Sequence, residues 1–536
     1  MSKRSMIALG LASCGLCLAA EPIAPTPTPT AAPSTKVVAP VSHLDIWEID
    51  VDGNTVLDEA TIDRVVEPFL GPGRTPDDVD AARSALEAIY RERGYKTVSV
   101  SIPKQTVRDG VITLQVDQAP VGHLNVIGSK YHSIDQIKLE APSLAEGQVP
   151  DFDQVQHDLV GLNQQPDRVV TPALKAGSRP GTVDVDLVVK DNLPLHGSLE
   201  LNNQRSQDTS ELRALASLSY GNLWQRGHSL SLSFQTAPER FSDARVIYGS
   251  YLAPFRDSPW SLLISGLHSG SDVSTVGGTD VVGKGTTVGA RAVLDIPASS
   301  GAFTVTAGAD YKRYDTKIAL GSDQFATPIE YVPFTLGFSA LLRRDSSITQ
   351  SDFSLVFASP KIGSSSAVYQ LNRADARGQS FYIRESISHT QELPLGLQLG
   401  LRANSQLTDQ PLISNEQLSA GGYNTVRGYL EAEALGDYGF GGTLELRSPS
   451  FADHIGSVNT AQELRLFSFV DGARLLVRSP TPGQQSEFDL LGIGVGFNAR
   501  LFNYFNGSLV WSEPVLDGVA TKAWNSRLLF RVWTSF

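Results

Sequence analysis

The run Gly421-Gly-Tyr-Asn-Thr-Val-Arg-Gly-Tyr429 sets a permanent cation, Arg427, beside a glycine and a phenol, Gly428 and Tyr429, with Val426 ahead of them. An arginine offers a planar fork of N–H donors that binds anions, most strongly where water is excluded. A second short motif, Phe469-Val-Asp-Gly-Ala473, supplies a carboxylate farther along the chain. Neither motif is catalytic by type. The nine histidines, at 43, 123, 132, 157, 196, 228, 268, 389 and 454, are scattered and lack the HExxH spacing that binds a metal. No serine sits in GxSxG, which argues against a lipase or esterase. Gly492-Ile-Gly-Val-Gly496 is spaced like a phosphate-binding loop, yet no helix follows to aim amides at an anion, so these glycines read as part of a strand. The sequence therefore points away from an enzyme and calls for no cofactor or metal.

Such residues need a scaffold. With 536 residues the chain exceeds one ordinary core unless a large barrel forms one unit. Its 41% hydrophobic content is dispersed, and after the first 20 residues no run of about 18 apolar residues could cross a membrane as a helix. That excludes a helical membrane protein. The start Met1-Ser-Lys-Arg4, the apolar stretch to Leu18 and Ala19-Ala20 have the parts of a secretion signal, predicted over residues 1–20. Both cysteines, Cys14 and Cys17, fall inside it, so the mature chain is expected to have no disulfide. Leu11-Ala-Ser-Cys14 also fits a lipoprotein processing box, which would leave Cys14 lipidated, although ordinary cleavage is the simpler expectation. A net charge of -13 argues against nucleic-acid binding, which needs a basic surface.

Residues 21–42 carry prolines at 22, 25, 27, 29, 33 and 40, so they read as an extended linker with no room for a helix. Residues 43–118 follow in the order β-α-α-β-β. Leu44 to Val51 reads as a strand and Ala60 to Phe69 as a helix. Thr75, Pro76 and Asp78 then start a second helix whose apolar face is Val79, Ala82, Leu86 and Ile89, and Val98 to Ile102 and Val111 to Val116 alternate as strands. Residues 119–192 repeat the order with helices over 134–139 and 152–162 and strands over 169–174 and 183–189. From 193 to 536 the helical period disappears. Alternating segments such as Ser229 to Phe234, Ala302 to Ala307 and Arg527 to Phe536, separated by turn residues, suit strands with one face in lipid and the other in a polar lumen. At about 10 residues per crossing plus turns, this region holds about 16 antiparallel strands.

The β-α-α-β-β order resembles a POTRA domain, a periplasmic module, and "GYKTVSVSIPKQTVRDGVITLQV" is similar to the subtype of two-partner secretion transporters. The segment "EQLSAGGYNTVRGYLEAEALGDYG", with the terminal Phe536, resembles the BamA-type superfamily and closely its ShlB/FhaC/HecB branch, over essentially the whole mature chain. The fold this implies is a transmembrane β-barrel of about 16 antiparallel strands preceded by two α+β POTRA domains. In that resemblance loop 415–440 folds into the lumen, and the Arg427 of its Val426-Arg-Gly-Tyr429 motif pairs with Asp471 of the barrel-wall motif, with Phe469 and Tyr429 packed around them. Ala473 departs from the family pattern, which usually has glycine there.

The implied activity is secretion of an unfolded exoprotein across the Gram-negative outer membrane, extending to haemolysin secretion and activation, with the POTRA domains in the periplasm. Outer-membrane lipids and the barrel-assembly machinery, which would insert the protein, are the other implied partners. A POTRA strand edge beside a helix can take an extended client by β-augmentation, and Phe152, Val183 and Val185 are the candidate contacts. The alternative is a BamA-like factor that assembles other barrels. The proline content of residues 21–42 predicts that the plug helix of several relatives is absent.

Overall fold

The computed structural model describes residues 43–536 apart from 257, 272, 277–278, 316, 321–322 and 453–460. The expected secretion signal, Cys14 and the proline-rich segment, with its predicted lack of a plug, lie outside the described residues. Two compact units emerge, one ending at Gln118 and the other containing Ala119–Phe536.

The first unit contains β1 (Leu44–Ile46), β2 (Glu48–Asp52), α1 (Glu59–Val66), β3 (Gly71–Arg74), α2 (Pro76–Glu92), β4 (Ser99–Ser101) and β5 (Val111–Asp117). The single strand expected over residues 44–51 divides at Trp47, because Trp47 and Glu48 both donate backbone N–H bonds to Gly110 O. As a result β1 pairs with β3, whereas β2 runs parallel to β5 in a sheet of order β2-β5-β4. Helix α2 starts as its sequence dictates. Thr75 and Asp78 form a reciprocal capping box, Pro76 takes the first helical position, and Val79, Ala82, Leu86 and Tyr90 are buried. Tyr90 replaces Ile89 as the last core residue of that face. Its hydroxyl donates to Asn54 Oδ1 at 2.7 Å, which satisfies the polar tip of a buried ring.

The second unit begins with a module of β6 (Val121–Ile127), α3 (Ile134–Leu139), α4 (Phe152–Leu162), β7 (Arg168–Ala176) and β8 (Val183–Asp191). Leu124, Ile137, Val155, Leu162, Val185 and Leu187 form its core. The sheet order β6-β8-β7 corrects one expectation. The Val183 to Val189 segment is the central strand rather than an edge, hydrogen-bonded on both sides, and Val185 is fully buried. Neither Val183 nor Val185 therefore offers a free edge to a client. β7, which carries the exposed Val169 and Leu174, is the outer strand that packs beside α4. The sequence reading failed because β7 and β8 are about equally apolar, so nothing local says which of them lies in the middle of the sheet.

Sixteen antiparallel strands, from Leu195–Asn202 to Arg527–Ser535, close into a barrel. The period of two separates its faces. On the strand Tyr438–Arg447, Phe440, Leu444 and Leu446 are exposed on the outside, while Thr443 and Glu445 are buried within. Closure between the first and last strands extends over five residue pairs, from Arg531↔Asn202 to Ser535↔Ser198. The Asn203 side-chain amide prolongs it as a peptide group would, donating to Leu528 O at 2.8 Å and accepting from the Phe530 N–H at 2.9 Å. Among the described residues no helix is long and apolar enough to cross a membrane.

The module meets the barrel through a polar joint. Asp191, at the end of β8, accepts the N–H groups of Lys130, Tyr131 and His132 on one oxygen and faces His132 Nδ1 at 2.7 Å with the other. The loop so folded is held to the first short turn of the barrel. Gln225 donates to Tyr131 O at 3.1 Å and accepts from the Ser133 N–H at 2.8 Å. Burial alone would push the Asp191 carboxyl up, but the Tyr131 and Lys130 amides, followed by the His132 ring and amide, outweigh it and hold the group at about 2. A depressed carboxyl contributes stability that is complete above its ordinary value of 3.8 and is lost as the pH falls towards 2. Amide protection over residues 129–133 is therefore expected to stay level from neutral pH to about 4 and to fall below about 3. Asp191→Asn should flatten that dependence, and an unchanged profile in this variant would remove Asp191 as its origin.

Candidate functional site

The chain between the strands Gln398–Leu407 and Tyr438–Arg447 turns back into the barrel. Its two limbs pair briefly, Leu418–Ala420 with Ala434–Gly436, and its tip buries Val426 and Tyr429 against Ala473, Leu475 and Leu490 of the wall. Gly428 has φ +103° and passes so close to the strand Phe505–Pro514 that a Cβ would lie 3.0 Å from Pro514 N. Any other residue would meet both backbone strain and this neighbour.

Arg427 is the centre of the contact. Its Nε donates to Asp471 Oδ2 at 2.7 Å and its Nη2 to Asp471 Oδ1 at 2.8 Å, a two-pronged pairing, and its backbone N–H adds a third bond at 3.0 Å. The remaining arm, Nη1, donates to Glu445 Oε2 at 2.7 Å, while Glu445 Oε1 accepts from Arg447 Nε at 2.8 Å. Arg427, Asp471 and Glu445 are all buried. The buried Arg427 is thus matched by two buried carboxylates, one of which it shares with the partly exposed Arg447, and such pairing is the condition for keeping charges where water scarcely reaches. The guanidinium carbon also lies 3.4 Å from the centroid of the Phe469 ring, a cation–π contact.

The sequence motifs come together as expected, with Val426, Arg427, Gly428 and Tyr429 on the loop and Phe469 and Asp471 on the wall. Tyr429 also anchors itself, its hydroxyl donating to Leu516 O at 2.8 Å. Ala473, the departure from the family pattern, faces Gly441 on the neighbouring strand. A Cβ on that glycine would lie 3.5 Å from the Ala473 methyl, so an alanine fits where its partner has no side chain.

Two features escaped the sequence reading. Glu445 lies in an ordinary alternating strand, and nothing local distinguishes it from a solvated carboxylate. The second feature, Gly492, Gly494 and Gly496, carried a signal that could have been found. In the register of the two strands these glycines stand opposite Asp471, Phe469 and Phe467 in turn. A Cβ would come within 2.1 Å of Arg427 O at Gly492, 2.5 Å of the Phe469 ring at Gly494 and 2.2 Å of the Phe467 ring at Gly496. The alternating large residues of one strand therefore lie over a row of glycines on the next, and together they form the seat of the loop.

A barrel with a loop pinned inside it, preceded by a POTRA domain, defines an outer-membrane protein of the BamA type. The chain belongs to the haemolysin secretion/activation protein ShlB/FhaC/HecB family, which matches residues 181–499, and residues 44–118 match the ShlB-type POTRA domain. This is a family of two-partner secretion transporters of the outer membrane, whose POTRA domains are periplasmic. The outer membrane transporter CdiB of Escherichia coli is 24% identical over 192 residues, 35% of this chain and 32% of that protein. CdiB of the O6:K15:H31 strain of the same species is 24% identical over 195 residues, 36% of this chain and 33% of its own. The chain thus aligns with about a third of the length of these curated relatives.

Solved structures match over more of the chain and share the fold. CdiB from Escherichia coli has a TM-score of 0.61 at 20% identity, covering 94% of this chain and 93% of its own. CdiB from Acinetobacter baumannii has 0.57 at 16% identity, covering 93% and 91%. BamA from Haemophilus ducreyi lacking POTRA domains 1–3 has 0.54 at 14% identity, covering 92% and 100%.

Gly494→Leu is expected to displace the Phe469 ring and with it the stacked guanidinium. Hydrogen exchange of amides 421–431 should then accelerate by about tenfold or more while the barrel strands away from Trp511, whose carbonyl the new Cβ also meets, stay protected. Unaltered exchange in the loop would show that the glycine row does not seat it.

Proposed function

We propose that the protein is an outer-membrane translocator that captures one unfolded exoprotein in the periplasm and passes it outward through its barrel. The observation that carries this reading is the loop tip held inside the lumen by side-chain bonds centred on Arg427 and Asp471. Such bonds can exchange one by one with water, so the tip can yield to a passing chain without breaking the wall. Folding of the client outside would supply the drive, with no nucleotide. Secretion and activation of a haemolysin-like client belong to the same reading.

The module over residues 119–192 acts in this scheme as a second POTRA domain, supported by its β-α-α-β-β order and by a likeness in fold to a BamA that lacks its first three. An extended client would add to the free edge of β7 beside α4, with main-chain bonds giving affinity. Phe152 opens α4 and remains the candidate contact there, with Lys96 Nζ 5.8 Å above its ring. The barrel's outer face would meet lipid, and the protein would itself be a client of the barrel-assembly machinery.

The likeness to BamA favours a second reading, a factor that assembles other barrels. Depletion separates the two. The secretion reading expects one large exoprotein to accumulate in the periplasm with other outer-membrane proteins at normal levels, whereas general loss of barrels would support assembly. Arg427→Ala leaves Asp471 buried without its partner, a change that costs about 3–5 kcal/mol in other buried pairs. Secretion is expected to fall at least about tenfold while the barrel still inserts, since each 1.4 kcal/mol is about a factor of ten. Undiminished secretion by that variant would take the latch out of the mechanism.

A further inference from the structure

We infer that Glu416 is a second anchor of the inward loop, separate from Arg427, which fixes the stem at the barrel mouth so that the tip moves about it. Glu416 precedes the paired limbs of the loop and is 3% exposed. Its Oε1 accepts from Lys312 Nζ at 2.6 Å and from the Tyr331 hydroxyl at 2.5 Å, and its Oε2 accepts from the Tyr382 hydroxyl. The Glu416 carbonyl is held as well, by Arg384 Nη2 and Gln406 Nε2, each at 3.0 Å. Beside it Ile413 is buried among Tyr314, Ile329, Tyr331 and Tyr369.

Three observations separate this site from the tip. Its wall partners lie on the strands Gly301–Tyr314, Ile329–Arg344, Ser380–Glu392 and Gln398–Leu407. The tip is bonded to Tyr438–Arg447 and Ala461–Leu476 and rests on Glu487–Leu501 and Phe505–Pro514, and no residue that bonds Glu416 also bonds Arg427. Lys312, Tyr331 and Tyr382 all lie within three residues of strand ends on the rim where the loop leaves the wall.

The chemistry differs too. The tip carboxylates are hydrogen-bonded by the guanidiniums of Arg427 and Arg447, whereas the Glu416 carboxylate accepts from one ammonium and two hydroxyls, and its backbone is bonded to the wall. Asp437 closes the base from the other limb, accepting from the Leu412 N–H at 2.8 Å, Gln417 Nε2 at 2.9 Å and the Arg478 N–H at 2.6 Å. A loop held twice by unshared partners should release its ends independently, because energetic coupling requires shared contacts. This inference does not depend on what the channel carries.

Two reporter cysteines test it in the full-length protein with Cys14 and Cys17 replaced by alanine, purified and reconstituted. Ile413→Cys reports on the stem and Val426→Cys on the tip, both positions being buried, and the rate of modification by a water-soluble maleimide is measured for each. Glu416→Gln is expected to raise the rate at the stem by about tenfold or more, because unpairing a buried charge opens its surroundings, and to leave the tip within about twofold. Arg427→Ala should give the reverse. Equal responses of both reporters to either substitution, or no response to Glu416→Gln, would overturn the inference. Heat-dependent migration on gels establishes that each variant is a closed barrel. If Glu416→Gln is not closed, Lys312→Met carries the same expectation, and failure of both to close would assign Glu416 to barrel assembly and overturn its role as a separate anchor.

Discussion

A guanidinium taken out of water must be matched by carboxylates, and most of what is distinctive inside this barrel follows from that demand at Arg427. Asp471 and Glu445 take up its donors, and Arg447 balances the second carboxylate. The Phe469 ring supplies a face that is apolar yet attracts a cation. For the ring and the loop backbone to lie so low, the neighbouring strand must lack side chains there, which Gly492, Gly494 and Gly496 provide. The interior strand positions are therefore set by a loop that is remote from them in sequence.

The barrel was legible because its rule is simple and repeated. Strands with lipid on one face and a polar lumen on the other must alternate, and a weak signal per strand becomes strong over sixteen. Helix α2 was legible from its cap and apolar spacing, and α3 and α4 from the repeated order of elements. Less could be read where a tertiary partner decides. The strand break at Trp47 depends on the Gly110 carbonyl, and the central place of β8 depends on which strands flank it. Glu445 and Glu416 were invisible for the same reason, since burial of a carboxylate is decided by what folds over it. The glycine row was visible as a pattern but not as a seat, because its meaning lies in the register with Phe467, Phe469 and Asp471.

Two kinds of bonding divide the work in this lumen. The wall is joined by ladders of backbone hydrogen bonds, which are cooperative and leave no free edge to attract other chains. The loop forms a three-residue ladder with itself and a few single backbone bonds, such as Glu431 N–H to Arg205 O and Asp437 N–H to Leu476 O, and its tip is fixed to the wall largely through side chains. Side-chain bonds can be exchanged singly for water, whereas a strand leaving a barrel would expose a whole row of donors and acceptors to lipid. Charged pairs suit this task better than apolar packing alone. Their strength depends on exclusion of water, so a chain or solvent entering the lumen weakens them at the point of entry and leaves more distant contacts in place. On the proposed reading, a loop bound in this way is firm while the lumen is closed and yields locally when it is filled, while the strands around it keep their ladders.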